Sequence, residues 1–220
     1  EVTVIYYGTG ASLVAKPGCL VFFDVPKNEI QFRARAGTTK NFGSSMADDH
    51  KKMYKRFYFV DWPVLNRHMQ SIIHGIDFFV DGQRSYEITW MHGDHWRNAI
   101  RNVSRQPIRA RPWFEPGVWG GTWIKDKIHG ISREVSNYAW SFELIYPENG
   151  LIFENDGVML ETTFDSILFL NAENLLGVDA KEYGHYFPIR FDFLDTFDGG
   201  NLSVQCHPNL TYMRENFGEM

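Results

Sequence analysis

The sequence predicts an α+β protein: an α/β segment over residues 1–105, then a β-rich portion over residues 106–220 with the strand pattern of a jelly roll. Three observations carry this expectation. Short β-branched and aromatic runs alternate with amphipathic helical patterns up to about residue 85. Three prolines and three arginines then crowd residues 105–116, which marks an extended connector and a domain boundary near 105–112. Behind it, short strand candidates follow one another between Gly, Asn and Asp turns.

In the first segment, residues 2–7 and 19–25 are apolar runs bounded by Gly8, Gly10, Gly18 and Pro26, and both read as buried strands. Residues 28–36 follow as a helix. The stretch Gly8-Thr9-Gly10-Ala11-Ser12-Leu13 begins like a dinucleotide-binding turn. Leu13 stands where a third glycine belongs, however, and no βαβ unit surrounds it, so a plain turn is expected. Strand 19–25 and the Arg-bearing helix after it are faintly similar to the later half of nucleotide-kinase-like domains. Without a phosphate-binding loop that similarity implies no activity.

Residues 37–49 form a polar surface loop, and Lys51, Lys52, Lys55 and Arg56 lie on a solvated helix face. Leu65, Met69, Ile72, Ile73 and Ile76 then recur at helical spacing behind Pro63, which suits a first helical turn. Glu87, His92, Asp94 and His95 are metal-competent side chains close in sequence. Gly93 between them predicts a surface turn.

In the second portion, residues 138–146, 151–153, 166–170, 186–193 and 202–207 are the strand candidates, with Asp165 alternatively heading a short helix. The composition limits the partners. A net charge of -5 and a pI near 5.9 argue against nucleic acid and anionic membrane. Cys19 and Cys206 are too far apart to suggest a disulfide framework or a Cys-based metal site, and no apolar run reaches the ~20 residues that span a bilayer. A cytoplasmic setting is therefore expected, with the sequons at Asn102, Asn201 and Asn209 as chance matches. The start at Glu1 and the stop at Met220 suggest a piece of a longer polypeptide.

The sequence is most informative at Asn201-Leu-Ser-Val-Gln-Cys-His-Pro-Asn209. As a strand it points Ser203, Gln205 and His207 to one face and Leu202, Val204 and Cys206 to the other, and Pro208 ends the ladder. With Phe187-Pro188 and Phe193-Leu194-Asp195 before it, this segment resembles the metal-binding segment of class I mannose-6-phosphate isomerases. Trp119-Gly120-Gly121 is similar to that family's Trp-Gly-Gly signature, and Pro147-Glu148-Asn149-Gly150 to its Pro-Asn-Gly segment. The resemblance covers about residues 107–220.

It implies the N-terminal part of a cupin domain and a zinc-dependent isomerisation of mannose 6-phosphate and fructose 6-phosphate. Gln205 and His207 would ligate the zinc, Ser203 would contact the phosphorylated sugar, Trp119 would line its pocket, and Glu143 would match an acidic position of the family. Two departures qualify it. Asp192 stands where the family has a lysine, and losing a cation beside a phosphate weakens its recognition. After His207 the chain offers Glu215 and Glu219 but no histidine, so the remaining ligands and the proton-transferring arginine are expected beyond Met220. The alternative that Asp192 motivates is a cupin-like sugar-binding or regulatory module without catalysis.

Overall fold

The computed structural model describes residues 2–14 and 18–218. The protein is mixed α/β, and the chain packs as two compact units. The first comprises Glu1–Trp113 and Phe142–Phe191, so it takes residues from both sides of the connector; the second comprises Phe114–Ser141 and Asp192–Met220.

In the first unit, β1 (Val21–Asp24) pairs in parallel with β2 (Phe78–Asp81), and β2 pairs antiparallel with β3 (Thr89–His92). Between β1 and β2 lie α1 (Lys27–Arg35), α2 (His50–Arg56), a π-helical turn (Phe57–Asp61) and α3 (Trp62–Ile72). The helices form where the sequence signals place them. Asp49 caps α2 by accepting the backbone N–H groups of Lys51 and Lys52 at 3.1 and 3.3 Å, and Pro63 sits in the first turn of α3. Lys51, Lys52, Lys55 and Arg56 are exposed, as the charge run predicts.

One face of the sheet meets α4 (Gly93–Val103), where Phe79 stacks on Trp96 with ring centroids 4.3 Å apart. Met69, Ile73, Ile76 and Ile100 join them in the core, together with Leu160, Phe164, Ile167 and Leu168 from the hairpin β6–β7 (Gly150–Asn155, Val158–Thr163) and the helix α6 (Asp165–Leu176). The core thus unites the N-terminal segment with residues 142–191. A short helix α7 (Ala180–Tyr183) follows.

The second unit holds β4 (Phe114–Glu115), α5 (Trp123–Lys127) and α8 (Leu210–Phe217). A three-stranded sheet has the order β4-β5-β8, with β5 at Trp140–Leu144 and β8 at Phe191–Leu194. Phe114 pairs antiparallel with Ser141.

Several expectations are corrected. Residues 2–7 are exposed and form no strand, since their β-branched run finds no partner ladder. Residues 166–170 belong to α6, so Asp165 heads a helix; a short apolar run does not by itself tell a buried helix from a strand. His92 ends β3 and Gly93 opens α4, so this stretch is a strand-to-helix junction. Residues 202–207 are extended but carry no ladder. The described residues form two three-stranded sheets and one two-stranded sheet, with no closed barrel among them.

Candidate functional site

Asp195 organises the second unit. It is buried, its Oδ2 accepts the backbone N–H of Ile124 at 2.8 Å, and its Oδ1 accepts that of Phe197 at 3.1 Å. Its backbone carbonyl accepts from Gly121 at 2.7 Å, and its N–H donates to Ala139 at 3.0 Å. The Trp119-Gly120-Gly121 turn is thereby closed against residues 195–200, and only glycine fits there. A Cβ on Gly121 would stand 2.3 Å from the carbonyl oxygen of Phe197, and one on Gly199 would stand 2.3 Å from that of Trp119. Gly200 donates to the Trp119 carbonyl at 3.0 Å, which ties the turn to the residue before Asn201. The Trp119 ring packs edge-on against Trp140, centroids 4.8 Å apart.

From that anchor the chain runs on as an exposed extended segment. The alternation expected of a strand survives without the ladder: Gln205 Nε2 donates to Ser203 Oγ at 3.4 Å, and His207 Nε2 lies 3.3 Å from Gln205 Oε1. Ser203, Gln205 and His207 therefore share one side. Asn209 then caps α8 by accepting the N–H of Tyr212 at 2.9 Å.

The two donors fit a metal as a pair. Two ligand atoms each at about 2.0–2.1 Å from a tetrahedral ion stand roughly 3.4 Å apart, and Oε1 and Nε2 are 3.3 Å apart. Because an amide oxygen only accepts, the contact itself is a hydrogen bond donated by His207 Nε2–H, and ligation through Nε2 would require the proton to move to Nδ1. Two ligands make half a site, and no group of three or more His, Cys, Asp or Glu placed to hold a metal occurs among the described residues.

Glu143 belongs to the first unit. There it lines a cavity of about 280 Å³ with Arg109, Phe142, Phe164 and Phe187 among its walls. The cavity is mainly aromatic and aliphatic.

Sequence reasoning missed a buried charged cluster in the first unit. Asp24 and Asp81 stand side by side at the carboxyl ends of β1 and β2, and each accepts a backbone N–H from β7: Thr163 to Asp24 at 3.1 Å, Glu161 to Asp81 at 2.8 Å. The Lys27 ammonium pairs with Asp165 and donates to Asn66 Oδ1 at 3.1 Å. Arg111 pairs with Glu161 at 2.6 Å, and Gln83 donates to the same carboxylate at 3.0 Å. Nearby, Glu148 accepts from Gln31 at 2.7 Å and from the Tyr54 hydroxyl. Burial pushes the Asp24 carboxyl up to about 7, against the lowering effects of the Thr163 N–H and Lys27. Burial also raises Glu161, with Arg111 opposing it. The available signal was that two apolar strands, Val-Phe-Phe-Asp24 and Phe-Phe-Val-Asp81, both end in aspartate.

Comparison with known proteins gives two partial matches. Residues 1–105 match a family described as a domain of unknown function (DUF8485). Over 110 residues, half of this chain, the sequence is 29% identical to the mannose-6-phosphate isomerase ManA of Bacillus subtilis (strain 168), and the aligned stretch spans 32% of that protein. This is a distant relationship to part of that enzyme. No solved structure matches the chain. No helix among the described residues is long and apolar enough to cross a membrane.

Proposed function

We propose that the protein containing this chain is a zinc-dependent aldose–ketose isomerase that interconverts mannose 6-phosphate and fructose 6-phosphate. The observation that carries this reading is the 3.3 Å approach of Gln205 Oε1 to His207 Nε2, in a chain that is 29% identical over 110 residues to a mannose-6-phosphate isomerase. In this reading residues 106–220 are the N-terminal part of a cupin-type domain, and the protein acts in the cytoplasm.

Gln205 and His207 supply an amide oxygen and a neutral imidazole to the metal, whose contribution when bound is to polarise the sugar oxygens. Ser203, on the same side of the segment, offers a hydroxyl to the phosphorylated sugar. Trp119, held one hydrogen bond from Gly200, offers an aromatic wall to the sugar. The net charge of -5 argues against nucleic acid or anionic lipid as a main partner.

Mixing the zinc-loaded protein with mannose 6-phosphate and following fructose 6-phosphate, with and without chelator, tests the reading. Chelator-sensitive turnover is expected. Absence of turnover in zinc-replete protein would sink it and leave the non-catalytic sugar-binding module that Asp192 favours.

A further inference from the structure

His92 and His95 frame the junction of β3 and α4, far in sequence from Gln205 and His207. Both imidazoles are exposed, and neither has a hydrogen-bond partner among the described residues. Their ring centroids are 5.7 Å apart. With His N to metal at about 2.0–2.1 Å, each centroid stands about 3.2 Å from a shared ion, and a tetrahedral angle sets the two about 5.2 Å apart. The observed spacing needs only a modest opening of that angle.

The junction is held in place before any ion arrives. Gly93 N–H donates to the Asp77 carbonyl at 2.7 Å, and a Cβ there would stand 1.8 Å from the Ile76 carbonyl oxygen, so only glycine lets the chain pass this close. Arg97 donates to the Ile76 and Ile73 carbonyls at 2.8 and 3.2 Å and to Asp94 at 2.6 Å. The His92 ring packs at the edge of a three-ring cluster with Phe78 and Trp90, centroids at 4.9 and 5.4 Å. One of the two ligands therefore loses little side-chain freedom on binding.

We propose that His92 and His95 form a two-imidazole surface site for a borderline or soft divalent transition metal, with water completing its coordination. The positive end of α4 and the Arg97 guanidinium oppose any cation there, which disfavours weakly bound hard ions such as magnesium. Imidazole ligation overcomes that opposition for copper, nickel and zinc.

Copper(II) is the probe, titrated into untagged protein by calorimetry and followed by electron paramagnetic resonance. The expected result is copper with nitrogen hyperfine structure from two imidazoles that persists in His207→Ala, and at least about tenfold weaker binding at that site in His92→Ala and in His95→Gln. Both side chains are exposed, so an unchanged melting temperature confirms that the variants fold. Copper binding that survives both substitutions, or is lost only in His207→Ala, overturns the proposal. Failure of the Gln205–His207 reading would leave these outcomes unaffected.

Discussion

Gly121 donates its backbone N–H to the carbonyl of Asp195 at 2.7 Å, so close that a Cβ on Gly121 would stand 2.5 Å from Asp195 Oδ1. The approach joins the Trp-Gly-Gly turn to the loop that leads into Ser203, Gln205 and His207. Asp195→Ala removes the acceptor of the buried Ile124 N–H and should destabilise the second unit by about 1–3 kcal/mol. Gly121→Ala should cost at least as much, because the opposing atoms include backbone. Urea unfolding checks both; midpoints equal to wild type would show that the turn does not depend on this contact.

The Lys27–Asp165 pair, with side chains 6% and 2% exposed, is the second test of the packing. Lys27→Met leaves a buried carboxylate without its cation and should cost about 3–5 kcal/mol. The double variant Lys27→Met, Asp165→Leu should recover much of that loss. Additive losses in denaturant titrations would mean that the two groups do not act as a pair.

This pair also shows where the sequence stopped being legible. The helical spacing of Met69, Ile73 and Ile76 and the cap at Asp49 are local signals, and the corresponding helices form. The alternation of Ser203, Gln205 and His207 was legible for the same reason. Lys27 and Asp165 are 138 residues apart, and nothing near either announces a buried partner. Residues 2–7 failed in the opposite way: their composition suits a strand, but a strand needs a neighbour that sequence does not supply. The position of Glu143, in a different compact unit from Trp119, was set by tertiary packing as well.

Asp24 predicts a pH dependence. Its folded-state value is about 7 against 3.8 for the unreacted side chain, so the folded chain keeps the proton to higher pH. The stability this group contributes is fully present below about pH 4 and is lost as pH rises through about 7. Asp24→Asn mimics the protonated form and should stabilise the protein relative to wild type progressively more as pH rises from about 4 to about 7. A difference in unfolding free energy that stays constant across that window would contradict the assignment.

The buried cluster also makes the N-terminal segment dependent on the rest of its unit. Expressed alone, residues 1–105 would lack Glu148, Glu161, Thr163 and Asp165, which satisfy Gln31, Asp81, Asp24 and Lys27. This fragment should show no cooperative thermal transition by circular dichroism. A sharp transition near that of the intact chain would show that the segment folds independently.

Zinc content measured by elemental analysis, before and after His207→Ala, tests the central claim most directly. It is best made in a His92→Ala, His95→Ala background, so that the second pair of histidines contributes nothing. The protein containing this chain is expected to carry zinc that His207→Ala lowers, with isomerisation of mannose 6-phosphate falling in proportion. Zinc stoichiometry unchanged by His207→Ala would remove His207 from the metal site and contradict the account.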